Sequence, residues 1–267
     1  MTAVTLNTQI DVWQQIRTEA TSASMQEPVL ASFYHASILN HATFAAATSF
    51  HLANKLDSQA LPAMMIREVF ADAMAADAAI ELAMRADIRA HRERDPACSD
   101  FLMPFLFFKG YHALASWRIA HWLWQQGRNS LALFFQNQIS QVFDVDIHPG
   151  ATIGKGIMID HATGVVIGET TVIEDDVSML HSITLGGSGC AKKDRHPKIR
   201  RGVLIGVDAK ILGNIEIGEG AKIGAGSVVV DAVSPHTTVA GVPAKPIGHP
   251  KVDAPALDMN HQLNDDQ

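Results

Sequence analysis

The sequence predicts an α+β chain whose helical N-terminal half gives way to a β-helix of six-residue repeats. Three observations carry this. Apolar residues recur every three or four positions up to about residue 140. From Ile147 an aliphatic residue returns every six. A glycine-rich, charged segment, GGSGCAKKDRHPKIR from Gly186 to Arg200, interrupts that second rhythm once.

The clearest helical signal covers residues 62–88. Met65, Val69, Ala73, Ala76, Ile80 and Met84 share one face, the stretch is rich in alanine, and Pro62 suits a first helical turn. Residues 10–19, 28–39 and 42–56 read the same way. So do residues 113–126 and 131–142, separated by a Gly-Arg-Asn-Ser break at 127–130. The apolar run FLMPFLFF, residues 101–108, is too short to span a membrane and contains Pro104, so a buried packing segment is expected.

In the second half, Ile147, Ile153, Ile159, Val165, Val177 and Ile183 keep the six-residue step, with Thr171 as an exception. Ile199, Ile205, Ile211, Ile217, Ile223 and Val229 resume it. Glycine often follows, as at Gly154, Gly206, Gly218 and Gly224. Small or branched residues stand four places on, as at Ala151, Thr163, Ala209, Ala221 and Ser227. A step of six fits neither a helix nor an alternating strand. It fits a three-faced coil in which each face takes six residues and the aliphatic side chains stack into an interior column. Thirteen such positions make a little over four coils, about 20 Å long at roughly 4.8 Å per strand. Between Ile183 and Ile199 the spacing is sixteen, four more than two hexads, so residues 186–198 should protrude as a loop. Loops on rigid scaffolds are where binding groups concentrate.

A chain of 267 residues, 47% hydrophobic and 18% charged, suits a globular fold with a sizeable core and argues against disorder. The net charge of -7 gives no reason to expect nucleic acid as a partner. Cys98 and Cys190 are too few for a disulfide framework and lack metal-ligand spacing. The first twenty residues show no basic segment followed by an apolar one. A cytoplasmic setting is therefore expected.

The runs VDIHPGATIGKGIMIDHATGVVIGET (145–170), LGGSGCAKKDRHPKIR from Leu185, and AKIGAGSVV with AGVPAKPIG (within 221–248) resemble the serine acetyltransferases. HRERDPA (91–97) and KGYHALASWRIAHWLW from Lys109 fit the same family. The resemblance covers about residues 10–250. The repeats alone indicate a hexapeptide acyltransferase; the helical half, DHATG and DRHPKIR narrow it. It implies acetyl transfer from acetyl-CoA to L-serine, giving O-acetylserine and CoA, the step that opens cysteine biosynthesis. It also implies a left-handed coil, trimers of parallel prisms, and commonly a dimer of trimers joined through the helical domains. The expected organisation is a helical domain over 1–142, used for oligomerisation and part of the serine site. A β-helix over 143–250 and a mobile polar tail over 251–267 follow.

Acetyl transfer to an alcohol needs a base for the hydroxyl proton, donors for the oxyanion, and close positioning of both substrates. His161, inside DHATG, is the expected base, with Asp146 fixing its tautomer. Fifteen residues separate them, near one coil of eighteen, so they should approach on neighbouring turns. By resemblance, Asp95 and Asp160 face the substrate ammonium, while Arg195 and His196 face its carboxylate, which suits the planar fork of arginine. The resemblance places acetyl-CoA in a groove between prisms, with contacts at Gly187, Ala209, Lys222, Gly241 and Lys245. It also makes the Gly187 amide a candidate oxyanion donor.

No permanent cofactor is expected, acetyl-CoA being a co-substrate. No metal is expected either, because His148, His181 and His236 form no compact ligand motif. The glycine-flanked loop position of Cys190 and the family's direct transfer argue against an acyl-thioester intermediate. L-cysteine is the expected feedback inhibitor. Family members often end in an isoleucine that enters O-acetylserine sulfhydrylase. This sequence ends HQLNDDQ, which weakens the case for that partner. The rival readings are a hexapeptide transferase acting on homoserine or a sugar, and a non-catalytic prism used as an assembly scaffold. A sugar would not require the Asp95, Asp160 and Arg195 pattern.

Overall fold

The computed structural model describes residues 11–189 and 193–263; Cys190 lies outside them. The helical half opens with α1 (Val12–Gln26), capped by the Asp11 carboxylate on the Trp13 amide. Residues 28–39 form consecutive short turns around α2 (Ala31–Tyr34) instead of one helix. Next come α3 (Phe44–Lys55), α4 (Ala63–Ala76) and α5 (Ala78–Arg94). The helix expected over 62–88 is thus two helices. They part at Asp77, whose extended backbone lets its carboxylate accept from Ala79 N at 2.9 Å. Aspartate favours that role because its oxygen satisfies a first-turn amide, a local preference that apolar spacing does not report. Pro62 precedes α4 as its N-cap instead of entering the first turn. The run containing Pro104 is α6 (Leu102–Phe107), buried at Leu102, Phe105 and Leu106. The last two helices are α7 (Lys109–Gln125) and α8 (Asn129–Phe143). No helix among the described residues is long and apolar enough to cross a membrane.

From Val145 the chain coils. β1 (Val145–Ile147), β2 (Thr152–Ile153) and β3 (Met158–Ile159) make the first turn. β4 (Val165–Ile167), β5 (Val172–Ile173) and β6 (Ser178–Met179) make the second. β7 (Thr184–Gly186), β8 (Lys198–Ile199) and β9 (Leu204–Ile205) follow, then β10 (Lys210–Leu212), β11 (Glu216–Ile217) and β12 (Lys222–Ile223). The fifth turn has β13 (Val228–Val229), a bridge at Val233 and β14 (Thr238–Gly241). β15 (Ala244–Gly248) folds back antiparallel on β14 and closes that end of the stack. All other pairings are parallel, in three sheets that form the faces of a prism. This is a parallel β-solenoid, consistent with the left-handed coil that the resemblance implies.

The pairing register corrects the repeat count. The three interior columns are Ile147, Ile167, Leu185, Ile211 and Val229; Ile153, Ile173, Ile199, Ile217 and Val233; and Ile159, Met179, Ile205, Ile223 and Val239. All are buried. The prism has five layers, not a little over four. A strict step of six selects Val165, Thr171 and Val177 in the second coil and Ile183 at the start of the third, each two residues before the true column. Those residues are buried as well, at the corners, which is why the phase error leaves little trace in the sequence. Val145 pairs with Val165, twenty residues on, whereas Val166 pairs with Thr184 at the regular eighteen. Two extra residues therefore lie between Ile159 and Val165. The protruding loop, in turn, is a single edge lengthened by eight residues, since Thr184 pairs with Lys210 and Val172 with Lys198.

Helices and prism share one apolar core and a buried polar seam. Arg118 pairs with Asp87 at 2.7 Å and donates to the carbonyl of Gly154, while Asp87 Oδ1 accepts from Ile157 N. Arg94 donates to Gly156 O, Ser178 Oγ and Asp176 Oδ1. The sequence suggests a mobile tail beyond residue 250. Residues 251–263 instead pack on the third sheet: α9 (Pro255–Asp258) buries Ala256, and Ala256 bonds to Gly202 O and Ser178 Oγ. Pro255 and Ala256 are buried, while Val252 and Leu257 beside them stand exposed, so the anchor is a short apolar contact that composition does not single out.

Candidate active site

The two extra residues fall at the corner between β3 and β4, within DHATG. The other corners on either side of the third sheet turn through one left-handed residue three places after the column, such as Asp176, Ser182, Gly202 and Asp208. This one uses three, His161 (φ 55°), Ala162 (φ 59°) and Gly164 (φ 72°). Ala162 N bonds to Asp160 O and Thr163 N to His161 O, so two three-residue turns follow each other. A left-handed conformation costs a non-glycine residue about 1 kcal/mol or more. The result is an imidazole thrust outward, 72% exposed, from a fully buried Ala162.

His161 opens onto a cleft of about 410 Å³. Asp95, Asp160, Lys109, Thr163 and Phe107 line it with the imidazole. Asp95 arrives as the C-cap of α5, where its carboxylate also accepts from Ala97 N at 2.8 Å. Asp160 Oδ2 lies 3.7 Å from His161 Nε2, and the ring of His181, one coil away, meets His161 edge-on at 5.7 Å. The structure thus brings together three of the six residues expected for catalysis and serine binding. Sequence reasoning missed Lys109, although it opens the KGYHALASW run already quoted. A single lysine at a helix start carries no signal by itself.

Asp146 sits on β1 directly beneath Val166, so it does lie on the coil next to His161. Its carboxylate, however, accepts from Gln136 Nε2 on α8 at 2.7 Å; the carboxylate within ion-pair range of His161 is that of Asp160. Arg195 and His196 stand at another edge, between the first and second sheets. Arg195 Nη2 pairs with Glu169 at 2.6 Å. His196 is buried, and its Nδ1 accepts from both Thr170 N and Thr170 Oγ1. Burial, with Arg195 nearby, pushes its pKa below the usual 6.5. A neutral imidazole whose Nδ1 accepts must carry its proton on Nε2. That N–H faces Gly168 and Gly187, where added Cβ atoms would lie 2.0 and 3.3 Å from Nε2.

The expected acetyl-CoA positions do not converge within one chain. Gly187 is at the Arg195 edge. Ala209 is buried at the corner above His161 and His181. Lys222 lies under the C-terminal segment and donates to Gln262 O. Gly241 and Lys245 belong to the terminal hairpin, where Lys245 faces Asp231 at 3.8 Å. Among the described residues no group of three or more His, Cys, Asp or Glu side chains is placed to hold a metal ion.

A coil of this kind, with a histidine and carboxylates at a corner, defines a hexapeptide-repeat transferase, and residues 196–231 match the family model described as bacterial transferase hexapeptide. Residues 12–116 match the model described as serine acetyltransferase, N-terminal. The serine acetyltransferase of Escherichia coli K12 is 58% identical over 95% of this chain and 93% of its own. A serine acetyltransferase solved in complex with cysteine is 54% identical, with a TM-score of 0.94 over 95% of this chain and 99% of the other. One solved in complex with CoA is 55% identical, with a TM-score of 0.86 over 89% and 99%. The chain belongs to the serine acetyltransferase family.

Proposed function

We propose that His161 is the general base of direct acetyl transfer from acetyl-CoA to the hydroxyl of L-serine. The observation that carries this is the lengthened corner, which exposes one imidazole in a cleft with Asp95 and Asp160. Two carboxylates there suit the ammonium of a free amino acid. His161 takes the hydroxyl proton as the oxygen attacks the thioester carbonyl. The tetrahedral oxyanion collapses, the C–S bond breaks, and the proton passes from the imidazolium to the departing thiolate, leaving O-acetylserine and CoA. A base so placed contributes on the order of 10²–10⁴ in rate.

Arg195 and the Nε2–H of His196 supply the complementary donors for the substrate carboxylate. Because they occupy a different edge from His161, the complete site forms between neighbouring prisms of an oligomer, a trimer or dimer of trimers. On this reading acetyl-CoA lies in the same groove, meeting Gly187, Ala209, Lys222, Gly241 and Lys245. Asp146 steadies His161 from the adjacent coil once the substrates are bound. The enzyme is cytoplasmic, opens cysteine synthesis from serine and is inhibited by L-cysteine, a ligand of a solved relative.

The test is thiol release from acetyl-CoA with L-serine, L-homoserine or N-acetylglucosamine, with mass analysis of the product. Serine-dependent release, lost by on the order of 10² or more in His161→Ala, is expected. Preference for another acceptor would overturn the pocket assignment, and an active His161→Ala would overturn the base.

A further inference from the structure

We propose that the first turn of α7, through Lys109 and Gly110, holds the catalytic corner in its working shape; the proposal rests on the reading of His161 as base. The corner cannot specify that shape alone. It is two residues longer than its regular counterparts, and it holds two consecutive left-handed residues with a Cβ, His161 and Ala162, where a regular corner such as that at Ser182 or Asp208 holds one, so its strain is greater. The His161 imidazole is 72% exposed, so its position comes from the backbone beneath it.

The outside constraint is visible on two sides. A Cβ at Gly110 would lie 2.1 Å from Ile159 O and 3.0 Å from Ala162 Cβ. The helix backbone therefore rests directly on the corner, a closeness that only glycine permits. Lys109 Nζ donates to Thr163 Oγ1 at 2.5 Å, tying the residue after Ala162. Gly110 meets the corner at Ile159 and Ala162, which flank His161 in the chain, and Lys109 ties Thr163 beside them. The helix is itself fastened to the prism, through Trp117 Nε1 on His148 O at 3.0 Å and Arg118 on Gly154 O at 2.7 Å. Lys109 and Gly110 are thus positioning residues that lend the base the rigidity of the helix–prism junction.

The test compares kcat, both KM values and Tm for Gly110→Ala, Thr163→Val, Lys109→Met and Lys109→Arg, with His161→Ala as reference. Gly110→Ala is expected to lower kcat by up to about 10²-fold, the cost of a base displaced by about 1 Å. Thr163→Val and Lys109→Met each remove one hydrogen bond and should lower kcat by roughly 3–10-fold. For these two, Tm should stay within about 2 °C of the parent and KM for acetyl-CoA should not change. Lys109→Arg should recover most of the rate. If Gly110→Ala does not fold, the Thr163 and Lys109 variants decide. Loss of kcat only in step with Tm, or a raised KM for serine at unchanged kcat in Lys109→Met, overturns the positioning role. So does full kcat in all the Gly110, Thr163 and Lys109 variants beside a dead His161→Ala, which leaves the base intact. An active His161→Ala removes the base and this proposal with it.

Discussion

Arg195 and His196 stand side by side yet offer a substrate different things. Arg195 is a permanent cation already paired with Glu169, whose pKa that bond holds below the usual carboxylate range. His196 is a neutral donor because burial disfavours its charged form. On the proposed reading, Arg195→Lys keeps the charge and loses the fork. KM for serine should then rise by about 10-fold or more, the worth of a charge-assisted hydrogen bond, with little change in KM for acetyl-CoA. Steady-state kinetics with each substrate varied in turn checks this, and an unchanged serine KM would remove Arg195 from the site. The residue types at these positions were legible in DHATG and DRHPKIR. Their separation onto two edges was not, because it depends on how many residues each coil consumes.

The elements depend on small polar devices between apolar surfaces. Asp77 separates α4 from α5, and Asp77→Ala should cost about 1 kcal/mol by removing the cap on Ala79 N. Asp87 matters more, since it is fully buried and holds both Arg118 and Ile157 N where α5 and α7 meet the first coil. Asp87→Ala would strand a buried guanidinium and should cost about 3–5 kcal/mol. Denaturant unfolding of the two variants should rank them in that order; equal losses would mean the seam is solvated. The sequence marks neither residue as special. A carboxylate in a helix is ordinarily a surface group, and only packing reveals that Asp87 points at the backbone of the first coil.

At the scale of the whole molecule, the helical half buries His51, His91 and His112. His51 and His91 are pushed down to about 3, by burial first and then by Lys55 and Arg94 respectively, and His112 is lowered as well. Their folded-state pKa values lie below the unfolded value of about 6.5, so the unfolded chain binds more protons as the medium acidifies. Their contribution is complete above pH 6.5 and is lost progressively towards pH 3. Glu169, Asp194 and Glu216 also favour the folded state by lowered pKa values, but their window opens only below the carboxylate range near 4.5. Thermal melts should therefore show Tm falling between pH 6.5 and 5, and His91→Phe should flatten that slope. A flat profile in the parent protein would show that these rings are hydrated.

The sequence by itself determined the two-part architecture, because a period of three to four and a period of six demand different ways of burying apolar side chains. Through its resemblance it also singled out His161, Asp160 and Asp95, which line one cleft. Tertiary structure alone decided the register: which of two buried tracks forms the column, that the corner at His161 is two residues long in excess, and that the prism has five layers. Register is a property of pairs of coils, and two buried positions only two residues apart look equivalent until hydrogen bonds choose between them. The packing of residues 251–263 on the third sheet and the contact of Gly110 with the corner have the same origin. Each depends on a surface assembled from distant segments, whose shape no local pattern contains.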